Sequence, residues 1–196
     1  MNTPAHIVLN TLVLARGDAR RHWRAVALGA FVPDLPMMGF YAYQRLVLGH
    51  AEATIWGTAY FDASWQVCFD VFHSLPIIAA GALLAWLTRS PMWVAFFASM
   101  ALHCVFDLPL HHDDGHAHFF PLSAWRFRSP VSYWDPNHHG SIVLVAEALM
   151  ITLGCASLAR PHQPRGLRIA AAALLVATLA LGAYATLVWG GAADLG

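Results

Sequence analysis

The chain contains a succession of apolar segments, most of them long enough to cross a lipid bilayer. The hydrocarbon core of a bilayer takes about 20 apolar residues in a helix, and a chain in lipid must satisfy its backbone hydrogen bonds within helices or a closed barrel. The segments cover residues 23–48, 71–87, 92–110, 142–159 and 167–189. They predict an all-α fold: a polytopic helical membrane protein with about five spans in a single integral membrane domain over residues 1–196.

The composition supports a membrane protein and argues against a soluble domain, a nucleic-acid-binding surface and a cysteine-based framework or zinc site. Hydrophobic residues make up 58% of the chain and charged residues 11%, whereas about 25% of an ordinary soluble domain is charged. The formal net charge is zero and all 11 basic residues are arginines, which argues against a broad nucleic-acid surface. The three cysteines form no CxxC pair and lie far apart, so neither a disulfide framework nor a cysteine-based zinc site is expected.

The expected topology follows from the first apolar stretch and from the arginines. Residues 3–16 are too few to span a bilayer and precede their basic cluster, the reverse of the order in a signal peptide. They predict a short N-terminal half-depth helix. Alternating spans place most arginines on one side, which the positive-inside rule makes cytoplasmic. These are Arg16, Arg20, Arg21, Arg24, Arg89, Arg160, Arg165 and Arg168, whereas Arg45, Arg126 and Arg128 remain on the other side. The loops 49–70 and 111–140 are therefore expected to face outward.

Several ligand-type side chains occur inside these apolar segments. They are His6, Asp34, His73, His103, Asp107 and Glu147. A charge at the centre of a bilayer costs about 2.5–3.5 kcal/mol on insertion scales, so uncompensated carboxylates would be expensive. Counted at about 1.5 Å per residue from the cytoplasmic end of each helix, the six lie in one slab roughly 8 Å thick in the outer half of the membrane. This common depth predicts one shared metal site.

The spacing of these residues adds to the prediction. His103 and Asp107 are four residues apart and share one helix face. Imidazole and carboxylate ligands without thiolate suit Zn²⁺, Mn²⁺ or Fe²⁺. Asp34 lies between Pro33 and Pro36, and a broken helix at membrane depth indicates a polar cavity.

Each of these residues also has a structural alternative. A lone His6 or His73 is more often a hydrogen-bonded packing residue than a ligand. Asp34 is also explained as a cap at the helix break, and Glu147 as the ion-pair partner of an arginine. The agreement in depth across five helices favours a metal site for the set as a whole.

The loop 111–140 is unusually rich in imidazole and carboxylate. Residues 111–118 read HHDDGHAH, which suits either metal capture, including a second metal, or a solvated variable loop. Arg126 and Arg128 are the only basic residues of the loop. Arginine grips phosphate through forked hydrogen bonds, so the two are candidate substrate-binding residues; the alternative is that they anchor the loop at lipid headgroups.

The order of these motifs resembles that of the bacterial YdjM-like membrane-bound metal-dependent hydrolases, and more remotely that of the zinc-dependent phospholipase C group. The motifs are PAH ending at His6, GAFVPD ending at Asp34, FHS around His73, HCVFD from His103 to Asp107, and FPLS at 120–123. The resemblance implies that His6, Asp34, His73, His103 and Asp107 are ligands of a metal centre. The phospholipases carry a later HxxxE pair, for which the nearest candidates here, His139 and Glu147, have a different spacing.

These observations predict a membrane-embedded metal-dependent hydrolase in a bacterial inner membrane, with its site facing outward. The expected cofactor is one or two Zn²⁺ ions, with Mn²⁺ or Fe²⁺ as alternatives. Asp107 or Asp34 is the candidate catalytic general base, and the expected substrate is a phosphoester, lipid or lipid-linked molecule. The alternatives are a metal-binding or metal-transporting protein without catalysis, and a proton-coupled carrier that uses Asp34, His103 and Asp107 as a relay.

The topology is tested by labelling single cysteines introduced into a background that lacks the native ones. We expect a membrane-impermeant maleimide to label cysteines at Ala53 and Gly115 from outside, and to leave those at Asp18 and Gly166 unlabelled until the membrane is opened. The arginine asymmetry is the reason. The opposite labelling pattern would invert the orientation.

Overall fold

The described part of the chain is built from α-helices, which are joined by short turns and by the longer loop 111–140. The computed structural model describes the backbone of residues 1–190 and the side chains of residues 1–183. Its α-helices are α1 (Thr3–Leu14), α2 (Trp23–Phe31), α3 (Leu35–Ala42), α4 (Glu52–Gly57), α5 (Ala63–Phe72), α6 (Leu75–Leu87), α7 (Pro91–Asp107), α8 (Gly140–Leu158) and α9 (Arg165–Gly190).

Within the described residues, five helical stretches are long and apolar enough to cross a membrane. They are Gly17–Val47, Ala63–Leu87, Pro91–Leu110, Gly140–Leu158 and Arg165–Ala183. This confirms the predicted polytopic helical class and its number of spans. The short apolar helix predicted at the N-terminus is α1, whose 12 residues rise about 18 Å.

The predicted start of the second span at residue 71 was wrong, because the helical stretch begins at Ala63. The polar residues before it include Asp62, whose carboxylate accepts a hydrogen bond from the Ser64 amide at 2.9 Å. This N-cap satisfies a free amide at the start of α5. Asp62 therefore starts a helix at a place where its charge had indicated a loop.

That second stretch is interrupted at His73 and Ser74, which separate α5 from α6. The Ser74 hydroxyl accepts a hydrogen bond from the Ile77 amide at 3.2 Å, and Pro76 occupies the first turn of α6, where proline is tolerated. The same hydroxyl donates to the Phe120 carbonyl. The interruption leaves His73 at the end of α5, facing the interior of the bundle.

The break predicted around Pro33 and Pro36 is confirmed. A 3₁₀ turn over Val32–Asp34 separates α2 from α3. Proline lacks the amide that a continuous helix needs and clashes with the preceding turn. Asp34 is consequently presented at a helix junction, where it is buried.

Helix α1 lies among α2, α7 and α8, and α7 also packs against α2 and α6. A buried polar contact joins three of these helices. The Asn10 amide donates to the Ser99 carbonyl at 2.8 Å and to its hydroxyl at 2.9 Å. The Ser99 hydroxyl in turn donates to the Val26 carbonyl at 2.6 Å. Because each of these buried donors has a partner, the contact fixes α1 against α2 and α7.

The loop 111–140 is folded against the end of α7. Ser129 donates through its amide to the His111 carbonyl at 3.0 Å and through its hydroxyl to the Pro109 carbonyl at 2.6 Å. Gly115 is buried, and the Cβ atom of a cysteine at this position would lie 2.9 Å from the Phe127 carbonyl oxygen. For the labelling experiment, the exposed Asn137 is therefore the better position in this loop.

Helices α2 and α7 cross closely at Gly29, where a Cβ atom would lie 2.2 Å from the Phe96 carbonyl oxygen. We expect Gly29→Ala to force α2 away from α7 and to cost about 1–3 kcal/mol. That cost corresponds to a loss on the order of 5 °C in the thermal midpoint, measured by circular dichroism in detergent. Gly39→Ala is the matched control, because no atom of the described chain lies within 4 Å of its Cβ position. Equal midpoints for the two variants would contradict this packing.

Candidate metal centre

Four buried side chains converge where the two helix breaks meet α7. Asp34 comes from the turn before α3, His73 from the end of α5, and His103 and Asp107 from one face of α7. Among the described residues these four form a group in which one ligand atom from each lies within 4.8 Å of all the others. Two imidazoles and two carboxylates are a donor set suited to zinc, manganese or iron.

Backbone carbonyls orient the two histidines. His103 Nδ1 lies 2.8 Å from the Ala30 carbonyl oxygen, and His73 Nδ1 lies 2.9 Å from that of Phe69. A carbonyl can only accept, so in each ring Nδ1 carries the proton and Nε2 carries the lone pair. Both Nε2 atoms are buried and lack a hydrogen bond within the described chain. Metal-ligating histidines are typically held in this way.

The distances among these donors fit one ion. His103 Nε2 lies 3.4 Å from Asp34 Oδ1 and 3.0 Å from Asp107 Oδ2. His73 Nε2 lies 3.9 Å and 3.8 Å from the same two oxygens. Ligands about 2.0–2.2 Å from a tetrahedral zinc ion are roughly 3.3–3.6 Å apart. The four residues therefore fit a divalent ion with little rearrangement.

The second oxygen of Asp107 has its own partners. Oδ1 accepts hydrogen bonds from His6 Nε2 at 2.8 Å and from the Met1 amino group at 2.7 Å. His111 Nε2 lies 3.3 Å from the same oxygen. The His6 ring also stacks on that of His103, with centroids 3.5 Å apart. His6 thus joins the cluster through Asp107 and lies outside the group of four.

Asp34 and Glu147 are held by the residues just before His6. The Thr3 hydroxyl donates to Asp34 Oδ2 at 2.5 Å. Asn2 donates to Glu147 from its side chain at 2.5 Å and from its amide at 3.3 Å. Glu147 is therefore buried next to the site but bonded to Asn2. Its role as a metal ligand stays a prediction.

The two arginines predicted to bind substrate form ion pairs within the chain. Arg126 donates to Asp70 Oδ2 at 2.6 Å and to the Gly115 carbonyl at 2.7 Å. Arg128 donates to the exposed carboxylate of Asp113. In this arrangement Arg126 fastens the loop to α5, and substrate binding by either arginine stays a prediction.

Three contacts of the cluster were not among the predicted ligands: the Met1 amine, the Thr3 hydroxyl and the His111 ring. His111 lies four residues after Asp107, and the helical conformation continues as a 3₁₀ turn through Leu110. This spacing indicates that the His111 side chain lies near that of Asp107. The other two had no distinguishing pattern. An amino group or a hydroxyl near a site becomes recognisable only when the helices are assembled.

The histidine-rich loop is not a solvated segment throughout. His111, His116 and His118 are buried, whereas His112 is half-buried and Asp113 is exposed. Burial lowers the pKa of His118, and burial followed by the proximity of His73 lowers the pKa of His116 well below its ordinary value. Both rings are therefore neutral at pH 7, the form in which imidazole binds metals.

Comparisons of the chain with family models, with curated proteins and with solved structures find no match. The resemblance to the YdjM-like hydrolases therefore stays a prediction from short motifs. The residues of four of those motifs nevertheless lie in one contiguous cluster: His6, Asp34, His73 and the pair His103 and Asp107.

We expect protein purified after growth with ample zinc to retain a transition metal, and His103→Ala to remove most of it. The substitution deletes a lone pair that faces both carboxylates. Metal content per chain is measured by plasma mass spectrometry. His162→Ala is the control, because His162 is exposed on the connection between α8 and α9. Folded, monodisperse wild-type protein without metal would rule out this centre.

Proposed function

We propose that the chain is a membrane-embedded metal-dependent hydrolase that acts on a phosphoester of a lipid or lipid-linked molecule. The main support is the buried group of two histidines and two aspartates, whose free lone pairs face one point. The order of motifs shared with the YdjM-like hydrolases supports the same activity. Zn²⁺ is the ion we propose, with Mn²⁺ or Fe²⁺ as alternatives that the same donors accept.

A cavity beside the cluster supports an amphipathic substrate. Its volume is about 400 Å³, and it is lined by Met1, Asn2, Thr3, Asp34, Met37, Met38, Tyr41, Trp56, His111, Tyr133 and Leu181. Its lining combines the polar side chains of Asp34 and His111 with methionine, tryptophan and leucine side chains. A polar headgroup and an apolar chain would each meet a matching surface. This pairing favours a lipid over a fully polar substrate.

The metal ion would be held by four residues of the chain: His73, His103, Asp34 and Asp107. When bound, a divalent ion polarises the bond to be cleaved and activates water at neutral pH. Thr3 fixes one oxygen of Asp34 by its hydrogen bond, which leaves the other oxygen facing His103 and His73.

Asp107 and Asp34 are the two candidates for the general base. Asp107 Oδ1 accepts hydrogen bonds from the Met1 amino group and from His6, and its Oδ2 faces the lone pairs of His103 and His73. Asp34, in contrast, also lines the cavity. A base must reach the proton that it removes. Asp34, at the boundary between cluster and cavity, is therefore the stronger candidate for proton transfer, and Asp107 for holding the cluster together.

We expect Asp107→Asn to abolish hydrolysis of lipid phosphoesters while the protein stays folded. Asparagine keeps the shape of the side chain and removes the charge that both sets of partners require. Phosphate or headgroup release is measured with phospholipids and lipid phosphomonoesters in mixed micelles, beside a water-soluble phosphoester. Asp18→Asn is the matched control, since Asp18 is exposed on the turn before α2.

Two outcomes would revise the proposal. Full activity in Asp107→Asn would contradict catalysis at this centre. Metal retention by the wild type without hydrolysis of any phosphoester or acyl ester tested would instead favour a binding or transport protein.

Arg126→Ala and Arg128→Ala test substrate binding: a raised KM at unchanged kcat supports a contact with phosphate.

A further inference from the structure

The loop carries two buried histidines that the cluster of four does not use. His116 is 1% exposed and His118 is 3% exposed. All four of their ring nitrogens are buried and have no hydrogen-bond partner within the described chain. Buried polar atoms are nearly always paired. Two adjacent rings that both lack partners therefore point to a ligand for their lone pairs.

The two rings lie close to the separation that a shared ion requires. A histidine ring centroid lies roughly 3.2 Å from an ion bound at about 2.0–2.1 Å, so two rings on one tetrahedral ion have centroids roughly 5.2 Å apart. The centroids of His116 and His118 are 6.2 Å apart, so the two rings would approach each other by about 1 Å to share such an ion. His111 is the next imidazole, with its centroid 5.6 Å from that of His116.

This pair is separate from the cluster of four. The His116 ring stacks on His73 with centroids only 3.7 Å apart and planes inclined by 20°. Rings stacked so closely do not bind a common ion edge-on. His73 Nε2 faces Asp34 and Asp107 instead. The stack thus divides one group of donors from the other.

The backbone around the pair is fixed on every side. Asp70 Oδ1 accepts the Ala117 amide at 2.8 Å, and the His118 carbonyl accepts the Leu75 amide at 2.8 Å. Arg126 holds both Asp70 and the Gly115 carbonyl. The backbone that carries the two imidazoles is therefore held by α5, by the start of α6 and by the loop itself. A fixed backbone restricts the positions of the two ligands, which favours metal binding.

We propose that His116 and His118 bind a second divalent transition-metal ion, next to the cluster formed by Asp34, His73, His103 and Asp107. Imidazole donors suit Zn²⁺, and two protein ligands leave positions for water or for substrate. The same arrangement explains why the outer loop contains buried histidines in addition to those of the helices.

The test is the zinc content of the full chain, purified in detergent after growth with ample Zn²⁺. We expect two zinc ions per wild-type chain and one in the double variant His116→Ala/His118→Ala. The matched control is His112→Ala/His138→Ala. These two rings also stack in the loop, with centroids 3.5 Å apart, but each has a hydrogen-bond partner, the Ser129 carbonyl and Asp135. The control should keep both ions.

The number of zinc ions that each variant retains shows which of the two centres has lost its ion. Adding His103→Ala to the double variant should remove the last zinc. If the double variant does not stay monodisperse, His116→Gln and His118→Gln are measured singly and should each lose one ion. Two ions retained in the double variant would overturn the proposal. It would also be overturned by one ion per wild-type chain that only His103→Ala removes, an outcome that leaves the hydrolase centre intact.

Discussion

The carboxylate of Asp107 is the contact on which the rest of the structure depends. It is a buried acid in an apolar bundle, where an unpaired charge is costly. One oxygen faces His103 and His73, and the other faces His6, His111 and the amino group of Met1. These partners come from α1, α5, α7 and the loop. The contacts of this one carboxylate therefore bring four separate parts of the chain to the same point.

The helix breaks serve the same purpose. The last turn of a helix leaves carbonyl oxygens without partners inside the helix. Ala30, near the end of α2, accepts from the His103 ring. Phe69, near the end of α5, accepts both the amide and the ring Nδ1 proton of His73. Each break thus supplies the acceptor that turns a histidine lone pair toward the site. The breaks also place Asp34 and His73 at the junctions, where irregular backbone is tolerated because it is buried in protein.

The loop after α7 completes the centre from one side. Its connection to α5 runs through Asp70, which accepts from Arg126 and from the Ala117 amide. An ion pair between a half-buried arginine and a buried carboxylate is stronger than a pair on the exposed surface. Here the ion pair of Arg126 and Asp70 helps to position the loop segment that carries His116 and His118. The apolar cavity beside Asp34 and His111 lies at the boundary between this loop and the helices. The loop is consequently part of the site and not a solvated connection.

The helical membrane class, the number of spans and the break at Pro33 follow from the sequence alone. So does the expectation that His6, Asp34, His73, His103 and Asp107 lie close together. Apolar length and the cost of buried charge are local properties that can be counted along the chain. The predicted loop 49–70 was wrong at its end, because Asp62 caps a helix that begins at Ala63. Only the tertiary structure decided that Glu147 bonds Asn2, that Arg126 pairs with Asp70 and that the Met1 amine meets Asp107. Those partners depend on distances between segments far apart in the chain, and packing alone sets such distances.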